Sequence, residues 1–354
     1  ARHKVGFAVE SCGDRVLVDT IRETGAPIVE HGGGTTVCIE ISGASPAVFR
    51  ARQGRRVNVK EAASALNQLG GGGPLASLYR HGGPGVSVEQ TFRDSVECSM
   101  LGAAGVVWDG APHSLRGDRK IENVPAIGPH QPHWKFSGGL IEAAARASWL
   151  LSRGYRACPV LLLHPLSSLQ ATTGAMSDKE VVGGMSVPEL LARHFALLSA
   201  ALLREQFDHD YGDEGILTKH AFAEGRTLRV GKVCYGAVVV PPSVDIKSDT
   251  LQVLQDFATG GGRIACVGSA PILVDGSAAT AARDFFDEYA VRLIDGIDHF
   301  EYGAVIGQLR AWGLASVKVV TDPPELAETI LVTERAWEDR RIVAVLNTGE
   351  TTIE

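Results

Sequence analysis

Short apolar runs alternate with stretches of helical spacing through the first 135 residues. Runs at 4–10, 26–31, 36–42, 74–79 and 105–110 predict strands. Apolar positions recurring every three to four residues predict helices over 14–24, 59–69 and 88–101. Such alternation implies a parallel sheet covered by helices. Gly-rich breaks at 32–34, 70–73 and 82–85 fall where strands should give way to loops.

A strong helical pattern runs from Gly139 to Arg153, with Gly154 as its natural stop. Beyond it a second α/β pattern begins. CPVLLLHP (158–165) reads as a continuous apolar strand. Ser186, followed by Pro188, is a helix N-cap, and the helix it opens is predicted to run through EQFDHD. AVVVPP (237–242), the helix 249–261 and RIACVG (263–268) form a βαβ unit, and VKVVTDP (317–323) reads as a further strand. The expected class is α/β, with a β/α domain over 1–152 and a flavodoxin-like doubly wound domain over 153–325. Residues 326–354 begin a β-rich domain. The final RRIVAVLNTGETTIE reads as one strand without a partner, and the chain as a piece of a longer protein.

Composition narrows the classes. The 354 residues are 45% apolar and 21% charged, with a net charge of −7, which is ordinary for a globular protein. An acidic chain is unsuited to sequence-independent binding of nucleic acid or of an anionic membrane. No apolar run approaches the ~20 residues of a membrane span, and the amino end is no signal peptide. Cys12, Cys38, Cys98, Cys158, Cys234 and Cys266 are scattered singly, without metal-ligand or disulfide spacing. They predict buried free thiols in a cytoplasmic protein. No cofactor and no metal are expected, and the expected partner is a small molecule, with homo-oligomerisation left open.

Several motifs invite chemistry. HGGGTT (31–36) and GASPA (43–47) suggest an esterase, but they lie too close together and Pro46 follows the serine directly. GGGGP (70–74) and TGGGR (259–263) lack phosphate-loop residues and read as helix stops. Cys266 reads as a core thiol. Glu40 ends the run TVCIE at a strand's carboxyl end, where β/α-barrel enzymes place catalytic groups, and Asp109 follows a strand likewise. Beyond Asp109 come His113, Arg116, Arg119 and Lys120, able to grip a polyol, carboxylate or phosphate. His130, His133 and Trp134 add an aromatic surface. FDHDYGDE (207–214) lacks calcium-loop spacing and reads as an acidic surface loop.

One ordered series of segments carries a resemblance: 57–85, 114–125, 131–135, 145–154, 161–169, 207–217, 228–242 and 260–268. In this order the chain resembles large multidomain bacterial glycoside hydrolases related to α-L-rhamnosidases and β-galactosidase-like proteins. The resemblance implies the C-terminal part of a (β/α)8 barrel, then a flavodoxin- or amidotransferase-like domain without amidotransferase chemistry, then the start of a β-sandwich. It also implies two carboxyl groups across a glycosidic bond. Glu40 is the candidate for the first. The second belongs to a family pattern resembling L-S-E-x-Y, and here Leu75-Ala76-Ser77-Leu78-Tyr79 puts Ser77 at the carboxylate's place. Asp109 or Glu89 is a substitute, though neither matches in position.

The leading expectation is a pseudoglycosidase: a glycosidase-like fold, disarmed at Ser77 and repurposed for cyclisation or condensation of a bulky bacterial natural-product intermediate. His81 or His113 would be the base, and Arg116, Arg119 or Lys120 would stabilise the anion. Ser77, Tyr79, His133 and Trp134 would contact the substrate. The alternatives are an active rhamnosidase-like hydrolase with a shifted acid/base and a non-catalytic carbohydrate-binding protein.

Overall fold

A computed structural model describes residues 9–11, 37–42, 48–69, 75–79, 88–108, 116, 129–172, 180–182, 185–293, 300–315 and 317–349. The chain divides into two units, Ala1–Ala157 with Leu331–Glu354, and Cys158–Ile330.

In the first unit β1 (Val9–Ser11), β2 (Val37–Ser42), β3 (Leu75–Tyr79) and β4 (Gly105–Trp108) form a parallel sheet in chain order. Parallel neighbours need crossovers, and α1 (Val48–Leu69) and α2 (Val88–Met100) supply them between β2, β3 and β4. On α1 the buried Val59, Ala62, Ala63 and Leu66 follow helical spacing. The helix itself starts at Val48, well before that spacing becomes visible. A single 3-10 turn, Trp134–Phe136, leads into α3 (Ser137–Leu151), which packs on α2 and joins it through the Ser99 and Ser148 hydroxyls at 2.8 Å. Arg56 Nε meets the buried Glu97 at 2.6 Å. Among the described residues this sheet remains open and closes no barrel. The helix expected over 14–24, the strand over 26–31 and the Gly-rich breaks of this unit lie outside the described residues.

β5 (Tyr155–Arg156) closes the first stretch of this unit. The second unit follows as β6 (Val160–Leu163), α4 (Leu166–Thr172), β7 (Glu180–Val182), β8 (Met185–Ser186), α5 (Val187–Arg204), β9 (His209–Gly212) and α6 (Glu214–His220). Next come β10 (Ala221–Glu224), β11 (Thr227–Val230), β12 (Val233–Tyr235), β13 (Ala237–Val240), β14 (Asp245–Ile246) and α7 (Ser248–Thr259). The unit ends with β15 (Arg263–Cys266), β16 (Leu273–Val274), β17 (Ser277–Ala278), α8 (Thr280–Tyr289), β18 (Val291–Arg292), α9 (Gly303–Ala311) and a 3-10 helix, Pro324–Thr329.

Its central sheet runs β18-β15-β13-β6-β9, all parallel. Counted in chain order within the sheet, this is the flavodoxin-like arrangement, with the first strand between the second and third. β6 and β13 are buried at every residue, as continuous apolar strands covered on both faces must be.

Several sequence expectations need correction here. The helix opened by Ser186 stops at Arg204, because Gln206 takes a left-handed φ of 61° and Phe207 N closes the end on Leu202 O at 2.8 Å. FDHDYGDE is therefore not a surface loop. It holds β9, buried at every residue, with Asp208, Asp213 and Glu214 buried beside it. VKVVTDP forms no strand: Val320 is 79% exposed, and the segment runs into Pro323 and Pro324, which have no N–H to donate. The antiparallel sheet β10-β11-β12 went unread, its short strands lacking a long apolar run.

The chain returns to the first unit with β19 (Ile330–Trp337) and β20 (Arg340–Asn347). With β5 they form the sheet β20-β19-β5, so the final strand does have a partner. Gly154 sits against this sheet at φ 62°, where a Cβ would stand 2.0 Å from the Ala336 carbonyl oxygen.

Candidate functional site

In parallel β/α sheets, catalytic groups gather at the carboxyl ends of the strands, where the chain leaves for the helices. In the first unit the register across β2, β3 and β4 sets Glu40 opposite Ser77, and Ser77 opposite Val107. Glu40 therefore lies level with Ser77 on the adjacent strand. β2 continues to Ser42, so Glu40 stands two residues short of the strand's end. Tyr79 ends β3 as the partner of Ser42. His81, Asp109, His113, Arg119 and Lys120 lie outside the described residues.

Of the segment leaving β4, Arg116 is described by itself, and the described chain resumes at Pro129 and leads into α3. Arg116, His130 and Lys135 are exposed and His133 is half-buried. Trp134 is 41% and Phe136 72% exposed, with Lys135 Nζ 4.8 Å from the Phe136 ring centroid. This is an aromatic surface with a cation set beside it. Glu89, the alternative carboxylate, is on the first turn of α2, exposed and paired with Arg93 at 2.6 Å, and so serves the helix surface.

The second unit carries a buried polar cluster at the carboxyl ends of β6, β9 and β13. Glu214 Oε2 accepts the Lys247 N–H at 2.8 Å, while its Oε1 accepts the Ser167 hydroxyl. Ser168 Oγ accepts the N–H groups of Val244 and Asp245 at 3.0 Å and donates to the Asp245 carbonyl at 2.8 Å. These bonds stitch the loops beside the topological switch point to one another, where flavodoxin-like folds bind ligands. Burial raises the Glu214 carboxyl above the usual range, against the Ser167 and Lys247 hydrogen bonds and the Lys247 charge.

Further inside, the Ser199 hydroxyl meets His209 Nε2 at 2.9 Å and Tyr211 Oη at 2.7 Å. Tyr235 Oη donates to Asp210 Oδ2 at 3.0 Å. His194 Nδ1 meets Tyr302 Oη at 2.9 Å beside Phe300, and burial raises that phenol's pKa. Asp213 caps α6 through Ile216 N at 3.1 Å. Sequence reasoning missed these networks. The one local signal was Asp213 placed three residues before Ile216-Leu217, as a cap should be.

Cys266 lies on β15 with no exposure, and burial pushes its thiol up to about 11. It is a core thiol with little nucleophilic character at neutral pH. Cys98 and Cys158 are also buried, but Cys234 is exposed on β12, against the expectation for all six. Among the described residues no three His, Cys, Asp or Glu side chains come together as metal ligands, and no helix is long and apolar enough to cross a membrane.

The architecture has counterparts among solved structures. A rhamnosidase from Novosphingobium sp. PP1Y matches over 88% of this chain and 29% of its own, with a TM-score of 0.56 and 14% identity. An exo-carrageenase from Bacteroides ovatus matches over 83% of this chain and 38% of its own, with a TM-score of 0.52 and 11% identity. The chain has a glycoside-hydrolase-like fold. It spans about a third of the length of these structures. No protein-family model and no curated protein matches the sequence.

Proposed function

We propose that this chain belongs to a pseudoglycosidase, a glycoside-hydrolase-like protein that has lost one catalytic carboxylate and now acts on a bulky metabolite. The observation that carries the reading is the level pairing of Glu40 with Ser77. Adjacent strands lie ~4.8 Å apart, comparable to the ~5–5.5 Å between the carboxyl groups of a retaining glycosidase. A serine hydroxyl cannot serve as acid or base near neutral pH, and losing such a group costs roughly 10²–10⁴ in rate.

The residue types that follow β3 and β4 in the sequence suit a cyclisation or condensation in bacterial natural-product biosynthesis. His81 or His113 takes a proton from carbon next to a carbonyl, and the resulting enolate attacks a second carbonyl of the same molecule. Arg116, Arg119 or Lys120 holds the oxyanion, which a proton then quenches, with Glu40 or Asp109 as donor. Tyr79, His133 and Trp134 contact the substrate. The rhamnosidase and exo-carrageenase architectures favour a second reading, an active hydrolase that uses Glu40 with Asp109.

A panel of aryl glycosides tests both, with the parent assayed beside Glu40→Gln and Ser77→Glu. The pseudoglycosidase reading expects a silent parent. Turnover by the parent that is abolished in Glu40→Gln establishes the hydrolase instead.

A further inference from the structure

At the carboxyl edge of the second unit's sheet one serine hydroxyl lies between two acceptors. Ser167 Oγ donates to Glu214 Oε1 and also stands 3.1 Å from the Asp245 carbonyl oxygen. A hydroxyl has one proton to give, so it serves one acceptor fully at a time. Ser168 Oγ holds the same carbonyl at 2.8 Å throughout. Ser167, Glu214 and Asp245 are all buried, so protein groups have to meet these needs.

The charge on Glu214 decides between the two acceptors. As a carboxylate it takes the Ser167 hydroxyl on Oε1 and the Lys247 N–H on Oε2. When Glu214 is neutral, Oε2 is the wrong place for the proton, because the Lys247 N–H facing it at 2.8 Å has nothing to accept with. On Oε1 the proton points at Ser167 Oγ, whose own hydrogen then turns to the Asp245 carbonyl. Burial favours the neutral acid and the Lys247 charge the carboxylate. The other ionisable groups on the surrounding turns are Asp213, Asp245 and His164. Asp213 caps α6, Asp245 Oδ1 takes the Gly276 N–H at 2.8 Å, and the His164 ring lies edge-on to Phe195.

We propose that Ser167 is the moving part of a proton-sensitive switch. With Glu214 neutral, its hydroxyl ties α4 to the Asp245 carbonyl, on the connection between β13 and α7. With Glu214 ionised, the hydroxyl turns and ties α4 to the start of α6, the proton having passed to solvent water. The switch needs nothing from the first unit and is independent of the glycosidase question.

NMR on the full chain tests it, following the Glu214 carboxyl carbon and the Asp245 carbonyl carbon against pH. In the parent the Asp245 signal should step with the same midpoint as Glu214. Glu214→Gln keeps an acceptor for Lys247 and presents a permanent N–H donor to Ser167. Its Asp245 signal should therefore stay at the parent's low-pH position at every pH. In Ser167→Ala, Glu214 should still titrate while Asp245 shows no step at that midpoint, and Ser167→Thr should restore the step. The Ala variant also controls for the field of the Glu214 charge, which it leaves in place. If Ser167→Ala does not fold, the comparison of parent with Glu214→Gln decides. An Asp245 signal that ignores the Glu214 midpoint in the parent, follows it in Ser167→Ala, or steps in Glu214→Gln overturns the inference. So does a Glu214 that keeps one charge state over the whole pH range of the folded chain.

Discussion

Glu40 and Ser77 are register partners on adjacent parallel strands, one a carboxylate and the other a hydroxyl at the same level of the sheet. The pairing gives Ser77→Glu a specific expected outcome. It places a second glutamate at the register partner of Glu40, so on the pseudoglycosidase reading weak hydrolysis of an aryl glycoside should arise where the parent is silent. A gain of about 10²-fold or more over the parent is the scale of one acid/base group. The gain should disappear in the double variant Ser77→Glu/Glu40→Gln, as measured by release of the aryl alcohol.

Glu214 should make the second unit's stability fall with rising pH. Its folded pKa is raised by burial, so the folded chain holds this proton more tightly than the unfolded chain. Between the unfolded value, near 4.3 for a free Glu, and the raised folded value, each increase in pH therefore costs stability; above the folded value the loss is complete and the curve is flat. Glu214→Gln removes the titration. Melting curves at successive pH values should show the difference between Gln variant and parent growing in the variant's favour as pH rises through this window. A difference independent of pH would mean that the carboxyl titrates normally.

Gly154→Ala should destabilise the first unit by roughly 1–3 kcal/mol, the scale of a residue forced into a left-handed conformation. The new Cβ also meets the Ala336 carbonyl, a backbone atom that cannot swing aside. Gly225→Ala is the control, with a φ of 57° but open space around its Cβ, so it should lose only the conformational part. Urea denaturation separates the two.

Cys234 should be the first of the described cysteines to react with a thiol reagent in the folded chain. It is exposed on β12, whereas Cys98, Cys158 and Cys266 are buried. Peptide mapping after brief labelling should find the label at Cys234, with Cys266 labelled only after unfolding. Prompt labelling of Cys266 would contradict its place in β15.

The legible parts of the fold were those written in local pattern. Val160–Leu163 and Ala237–Val240 are unbroken apolar runs, and Ser186 and Pro188 mark a helix start, which the structure completes with 2.8 Å bonds from the Ser186 N–H and hydroxyl to Glu189. His209–Gly212 was misread because its polar side chains look solvated when read locally. Ser199, reached across the turn of α5, supplies a partner for His209, and Tyr235 supplies one for Asp210. Buried polar groups of this kind are stable only when paired, and both partners stand on other elements, α5 and β12.

The candidate site divides in the same way. Sequence alone determined which residue types are present: Ser77 within Leu75–Tyr79, Glu40 in an apolar run, and the cations and aromatics between β4 and α3. Only the tertiary structure decided that Glu40 and Ser77 stand level, that Glu89 belongs to a helix surface, and that Glu214 locks loops together away from solvent. The physical reason is that side-chain chemistry is local, whereas register and burial are set by strands and helices pairing across the chain.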